Sequence, residues 1–352
     1  MKSLAVKYRP ETFDQVLGQE VICKILQRQL ELKEYPNCYL FAGPSGDGKT
    51  TIARIMAKAI NGGVGYPIEI DGASNNGVDN VRSIIEEANN RSLDGEYKIF
   101  IIDECHQITT AGWNAFLKCI EEPPQYTIFM FCTTDPQKIP ATILNRVMKF
   151  QLTRVSAELI LNRLNDIAQS EGYVIKDDEA LKYIAYSSGG SVRESITNLE
   201  RVAFYDPLNI SIDNVVKVLG EYEVDTFFNL TNAITDKQLN IILNIIEKLY
   251  IDGKSLTTFI DKYLDFILNL LKYCIFKDMN VTSLPDSLED RVQYATGIYP
   301  TQEENANYFS ALANEVLKLK NAVRGDSNIK FTIETAFVHL GVSNDWTGIT
   351  TQ

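Results

Sequence analysis

Histidine is nearly absent from this sequence: 352 residues contain two, His106 and His339, and they form no ligand cluster. The six cysteines (Cys23, Cys38, Cys105, Cys119, Cys132 and Cys274) include no C-x-x-C pair. Most sit within apolar runs, which favours buried thiols in a reducing cytoplasm over disulfides or a metal site. Positive charge is also short, with 34 Lys and Arg against 46 Asp and Glu and a formal net charge of −12. That excludes a bulk basic field for nucleic acid, although a local basic surface inside an assembly is invisible in the sum. The N-terminus carries no signal-like apolar stretch and no run approaches transmembrane length, so a cytoplasmic chain without a membrane partner is expected. What is present is 45% hydrophobic content over 352 residues, enough to bury a large core and to divide into two or three domains.

The most informative segment is Gly43-Pro44-Ser45-Gly46-Asp47-Gly48-Lys49-Thr50, which fits the phosphate-loop pattern G-x-x-x-x-G-K-[ST]. It follows the apolar run 38–42 and leads through Thr51 into an amphipathic stretch ending near Ile60. Strand, glycine turn and helix are the context the motif requires. Glycines let successive N–H groups curl around a polyphosphate, and the helix N-terminus adds its positive dipole end. Lys49 is expected to reach the β- and γ-phosphates, and the Thr50 hydroxyl to hold Mg²⁺.

A second apolar run, 98–102, ends in Asp103-Glu104-Cys105-His106. Carboxylates at the C-terminal end of a buried parallel strand lie beside a phosphate loop. Asp103 is expected to orient Mg²⁺, and Glu104 to polarise the attacking water. An Asp-Glu pair after a strand is by itself an ordinary solvated turn; its spacing from the phosphate loop favours catalysis. His106 reads as a packing or capping residue. The segment 111–121 places Trp113, Phe116, Leu117 and Ile120 on one helical stripe, which reads as packing, and Pro123-Pro124 stop the helix. Further strands are expected at 127–132 and 67–70. Strands alternating with helices imply an α/β fold with a doubly wound parallel sheet.

These residues together resemble the AAA+ ATPases of replicative clamp loaders, especially the bacterial γ/τ subunit family. The resemblance begins at Lys7-Tyr8-Arg9-Pro10 and Val16-Leu17-Gly18-Gln19, similar to the family's nucleotide-base motif, and continues through Ile70-Asp71-Gly72-Ala73-Ser74, Glu121-Glu122-Pro123-Pro124 and Thr133-Thr134-Asp135-Pro136. It implies ATP and Mg²⁺ as ligands, with Lys7, Tyr8, Arg9, Pro10 and Val16 at the base and the phosphate loop at the phosphates. It implies Thr134 as the sensor near the γ-phosphate, with Thr133 the alternative one residue earlier. Asn145-Arg146-Val147 stands where the family has Ser-Arg-Cys, making Arg146 the arginine finger aimed at a neighbouring subunit's ATP. Gly189-Gly190-Ser191-Val192-Arg193 is similar to the sensor-2 motif, with Arg193 contacting the nucleotide. Only Asn61-Gly62-Gly63-Val64-Gly65-Tyr66 occupies the place of the family's four-cysteine module, so no zinc is expected. The resemblance is to a minimal form without the τ-type extension.

Helical periodicity takes over beyond Thr153. The expected organisation is an AAA+ nucleotide-binding domain over 1–153, a three-helix lid over 154–206, and an all-α collar over 207–352. Lid helices are expected at 157–169, 178–186 and 191–204, and collar helices at 227–234, 239–249, 256–275 and 308–323. The resemblance implies primer–template DNA, a sliding clamp and other loader subunits or copies of this chain as partners, in a pentameric assembly. DNA contacts are expected from the helix N-terminus at Thr109 and Thr110 and from Arg82, which reads equally as a surface salt-bridge partner. The favoured reading is an ATP-hydrolysing loader motor. Two others stay open: a different DNA-acting AAA+ motor for replication restart or branch migration, and a non-hydrolysing scaffold subunit.

Overall fold

A computed structural model describes residues 2–92, 95–219, 224–284 and 288–342. The last ten residues of the expected collar, 343–352, lie outside the described residues. The chain divides into two compact units: Met1–Tyr173 with Ile184–Glu200, and Val174–Tyr183 with Arg201–Gln352.

The first unit is built on five parallel strands: β1 (Cys38–Ala42), β2 (Ile68–Asp71), β3 (Lys98–Asp103), β4 (Thr127–Thr133) and β5 (Met148–Gln151). Their order is β2-β3-β4-β1-β5. The central strands β1 and β4 are buried throughout because helices cover both faces. Successive side chains alternate between two cores. Tyr39, Phe41, Ile99, Ile101, Ile128 and Met130 enter one, with the phosphate-loop helix residues Ile52, Ala53 and Met56. Cys38, Leu40, Phe100, Ile102, Phe129 and Phe131 enter the other, with Val81, Trp113, Phe116 and Ile120.

The helices of this layer are α1 (Leu4–Lys7), α2 (Glu20–Leu32), α3 (Lys49–Ile60), α4 (Val78–Ala88), α5 (Thr110–Glu121) and α6 (Ala141–Leu144). Thr109 caps α5 by accepting from the Gly112 amide, which satisfies one of the helix's orphan donors. β5 was not expected from sequence. Of its four residues only Phe150 is buried, so it has none of the continuous apolar character of its neighbours. It forms at the sheet edge by pairing with β1, Phe41 opposite Phe150.

Next come α7 (Ala157–Glu171), α8 (Asp178–Ser187) and α9 (Val192–Tyr205). Ser156 caps α7, and Gly172 ends it in the left-handed region. The rest of the second unit is helical: α10 (Ile212–Leu219), α11 (Val224–Thr235), α12 (Leu239–Ile251), α13 (Leu256–Phe276), α14 (Glu289–Ala295), α15 (Gln302–Ala322) and α16 (Ile329–Val342). Along α13, Phe259, Ile260, Tyr263, Phe266, Ile267 and Leu270 face inward at helical spacing. Phe227, Phe259, Tyr263 and Phe266 stack in one aromatic cluster. The buried Tyr263 hydroxyl meets the Thr231 hydroxyl at 3.1 Å, so its polar atom is satisfied. A capping box of Thr301 and Glu304 starts α15 at Gln302, six residues earlier than the onset expected at Tyr308. Among the described residues no helix is long and apolar enough to cross a membrane.

Candidate active site

The parallel sheet delivers β1, β3 and β4 to one edge, and the turns after their C-terminal ends make the site. After β1, the phosphate loop turns on Gly46 (φ 83°) and Gly48 (φ 99°), left-handed conformations that a Cβ would strain. Lys49 opens α3, and its ammonium donates to the carbonyls of Gly43 at 2.9 Å and Pro44 at 2.7 Å. Burial holds the Lys49 ammonium below the ordinary lysine value, with Glu104 and Asp103 among the groups opposing that shift. The loop's ends thus surround a desolvated cation.

Thr50 donates its hydroxyl to Asp103 Oδ2 at 2.8 Å, and the other Asp103 oxygen accepts the Glu104 amide at 3.0 Å. Hydroxyl and carboxylate together are an oxygen donor set that fits Mg²⁺. Glu104 has φ 45° and ψ 40°, a left-handed backbone uncommon outside glycine. Gly72 stands against this turn: its amide donates to the Asp103 carbonyl at 2.7 Å, and a Cβ there would lie 2.8 Å from that oxygen. Thr134, just past β4, donates to Glu104 Oε2 at 3.1 Å.

A cavity of about 380 Å³ joins these groups, with Ser45, Gly46, Asp47, Gly48, Lys49, Thr50 and Thr51 on one wall and Asp103 and Glu104 beside them. Tyr8, Arg9, Pro10 and Val16 line its other end, and Arg193 completes the lining from the start of α9. Ser191 caps that turn, its hydroxyl accepting from the Glu194 amide. Several expected residues fall elsewhere on the rim or off it. Gly43 and Pro44 meet the site through their carbonyls to Lys49. Lys7 is turned away into an ion pair with Glu171 at 2.6 Å. Arg146 is not in the cavity lining; its guanidinium donates to the Thr142 carbonyl at 2.6 Å and pairs with Glu121 at 2.8 Å. Arg82, Thr109 and Thr110 are exposed and also outside the cavity lining. The Thr109 amide donates to the Asn76 carbonyl at 3.1 Å, bringing the start of α5 to the loop that opens α4.

The gamma subunit of DNA polymerase III from Buchnera aphidicola (subspecies Schizaphis graminum) is 32% identical over 294 residues, spanning 77% of this chain and 81% of that protein. The chain belongs to the DNA polymerase III gamma/tau family. The gamma/tau subunit of Mycoplasma genitalium is 33% identical over 344 residues, and the tau subunit of Bacillus subtilis 32% over 287. The chain covers 90% and 76% of its own length in those matches but only 58% and 51% of theirs. A family model described as DNA polymerase III, delta subunit, matches residues 67–156. Among solved structures, the RuvB Holliday junction branch migration motor of Thermotoga maritima superposes with TM-score 0.52 at 21% identity, over 70% of this chain and 86% of that one. That likeness establishes the AAA+ fold.

Two residues near the gamma/tau family motifs were not anticipated. The sequence marks His106 as a packing or capping residue, yet its Nδ1 lies 3.3 Å from Glu104 Oε2 and 3.2 Å from the Thr133 hydroxyl. Thr133 itself is fully buried and faces His106, leaving Thr134 as the threonine that touches Glu104. Arg163 of α7 also lines the cavity, donating to the Tyr8 carbonyl at 3.1 Å. It carries no motif; only its place on the inner face of α7 marks it.

Proposed function

We propose that this chain is an ATP-hydrolysing motor subunit of a replicative clamp loader, which opens a ring-shaped sliding clamp and loads it on primer–template DNA. The observation that carries the reading is the set Lys49, Thr50, Asp103 and Glu104 around one cavity, with Thr134 hydrogen-bonded to Glu104. A non-hydrolysing scaffold subunit needs none of these groups. Gamma/tau membership supplies the loader context.

On ATP binding, Lys49 exchanges the Gly43 and Pro44 carbonyls for the β- and γ-phosphate oxygens, while phosphate-loop amides and the α3 N-terminus receive the rest of the charge. Thr50 and Asp103 would hold Mg²⁺, which when bound neutralises charge on the β- and γ-phosphates. Glu104, held by Thr134, polarises a water for attack on the γ-phosphorus; the bond to the β,γ-bridging oxygen breaks, and ADP and phosphate leave. Arg193 contacts the nucleotide from its own chain. Arg146 serves the site of a neighbouring copy or loader subunit in a pentameric ring, which makes turnover depend on assembly.

Residues 207–352, which lie within the second unit, are the oligomerising collar in a three-part division at residues 1–153, 154–206 and 207–352. Exposed Ile251, Phe276, Tyr294 and Phe331 give that unit apolar surface suited to subunit contacts. Arg82, Thr109 and Thr110 meet the DNA backbone. Among the described residues Arg82 is held only by an exposed contact to Asp79 at 3.2 Å, weak enough to let it turn to a phosphate. A cytoplasmic location accords with this work. Single-turnover hydrolysis on the assembled complex tests the motor: DNA should accelerate it, Arg82→Glu should weaken that response, and a scaffold subunit would show no turnover.

A further inference from the structure

Asp47 is an anomaly in the phosphate loop. Its side chain is fully buried, and neither carboxylate oxygen has a hydrogen-bond partner among the described residues. Burial pushes its carboxyl up from the ordinary aspartate value, with Arg154 and Lys49 opposing the shift. A buried acid lying between two loop glycines, on a wall that receives polyphosphate, is unfavourable for an anionic ligand unless a cation compensates it. Lys49 is committed to the ligand. Among the described residues the other cation acting on Asp47 is Arg154, just past β5, whose Nη1 lies 3.6 Å from Asp47 Oδ1 and donates to the Ser45 carbonyl at 3.3 Å.

Arg154 also touches the turn that carries Arg193. A Cβ on Gly190 would lie 2.9 Å from Arg154 Cβ and 3.0 Å from its Cδ, so the glycine makes room for that side chain. The neighbouring Val155 amide donates to the Gly190 carbonyl at 3.2 Å. One residue on, Ser191 stands so close to Gly46 that a Cβ there would meet its Oγ at 2.1 Å. Phosphate loop, Arg154 and the Arg193 turn therefore form one packed unit.

We infer that Arg154 is a positioning residue for nucleotide binding: it compensates the buried Asp47 carboxylate and so ties the phosphate loop to the turn carrying Arg193. The inference rests on the ATP-binding reading above. Without Arg154, the uncompensated carboxylate repels the incoming phosphates or drags the loop amides toward solvent.

The test is a double-mutant cycle on the whole chain, titrating a fluorescent ATP analogue and following thermal unfolding in parallel. Arg154→Ala should raise Kd about tenfold, a value kept below that for a fully buried pair because Arg154 is half exposed. Asp47→Asn should tighten binding about threefold by removing a like charge beside the phosphates. In the double variant, Arg154→Ala should lose its effect, so that Kd returns close to that of Asp47→Asn alone. If Arg154→Ala unfolds, Arg154→Gln with and without Asp47→Asn gives the same comparison. Strictly additive effects, or an Arg154 variant binding as wild type does, overturn the pairing while ATP binding stands. Wild-type protein that fails to bind the analogue overturns both.

Discussion

Replacing Arg146 by alanine separates what this side chain does in its own chain from what it does for a neighbour. In its own chain it pairs with Glu121 at 2.8 Å and donates to the Thr142 carbonyl at 2.6 Å, with its side chain 39% exposed. An exposed ion pair of this kind contributes about 0–1 kcal/mol. Arg146→Ala should therefore leave the unfolding temperature nearly unchanged. Because Arg146 does not line the cavity, the Kd for ATP should also stay near the wild-type value. In the assembled loader the effect is of another order. A guanidinium on the transferring phosphoryl group contributes about 10³- to 10⁵-fold in rate, or about 4–7 kcal/mol of barrier. The contact surrendered to reach the neighbour is several-fold smaller than the barrier reduction gained, so the Glu121 pair does not hold the finger back. The assay is rapid-quench single-turnover hydrolysis by loader reconstituted with wild-type or variant chain, alongside nucleotide titration of the free chain. Turnover within a few-fold of wild type, with assembly intact, refutes the finger. An equal loss of ATP affinity in the free chain refutes the trans geometry.

Other consequences follow from the same site. Thr134→Val removes the donor 3.1 Å from Glu104 and should lower kcat about 10- to 100-fold through misplacement of that carboxylate, with ATP affinity retained in the titration. Gly72→Ala puts a Cβ 2.8 Å from the Asp103 carbonyl and 3.0 Å from that of Glu104. Backbone atoms cannot yield as a side-chain tip does, so a stability loss of about 1–3 kcal/mol should appear in denaturant titration, with hydrolysis falling further than binding. The raised Asp47 carboxyl gives a signed pH dependence. Its contribution to stability is fully present below the unfolded-state value and is lost as pH rises through the higher folded-state value. Asp47→Asn should therefore raise the unfolding temperature most at neutral pH, with the gain shrinking as pH falls toward 4 in a series of melts; a gain that grows on acidification would reverse the sign.

Much of this architecture is legible in the residues because buried parallel strands write themselves as unbroken apolar runs. The runs at β1, β3 and β4 are plain, and each ends in the residues that line or support the cavity. β5 is not legible, because an edge strand with one buried side chain has no such run. The phosphate loop and the Asp103-Glu104 pair are local in sequence, so their chemistry is visible before folding. Contacts spanning the chain are not. The Lys7 to Glu171 pair, the Arg163 donation to Tyr8 and the Arg154 approach to Asp47 join segments more than a hundred residues apart. Likewise, nothing in the string Gly46-Asp47-Gly48 reveals that the carboxylate is turned inward rather than toward solvent. The His106 ring escapes for another reason: a lone histidine is usually packing, and only the turn after β3 sets it beside Glu104.

The most direct test of the loader reading is ATP-dependent placement of a ring clamp on primed DNA. The complex would be purified from its host through a tag on this chain, and retention of a labelled clamp on end-blocked primer–template would be followed. The account predicts retention with wild-type chain and ATP, and loss with Glu104→Gln despite normal ATP binding. A complex that contains no clamp, hydrolyses ATP and moves branched DNA would contradict it, leaving the ATP chemistry in place and assigning the motor to other work.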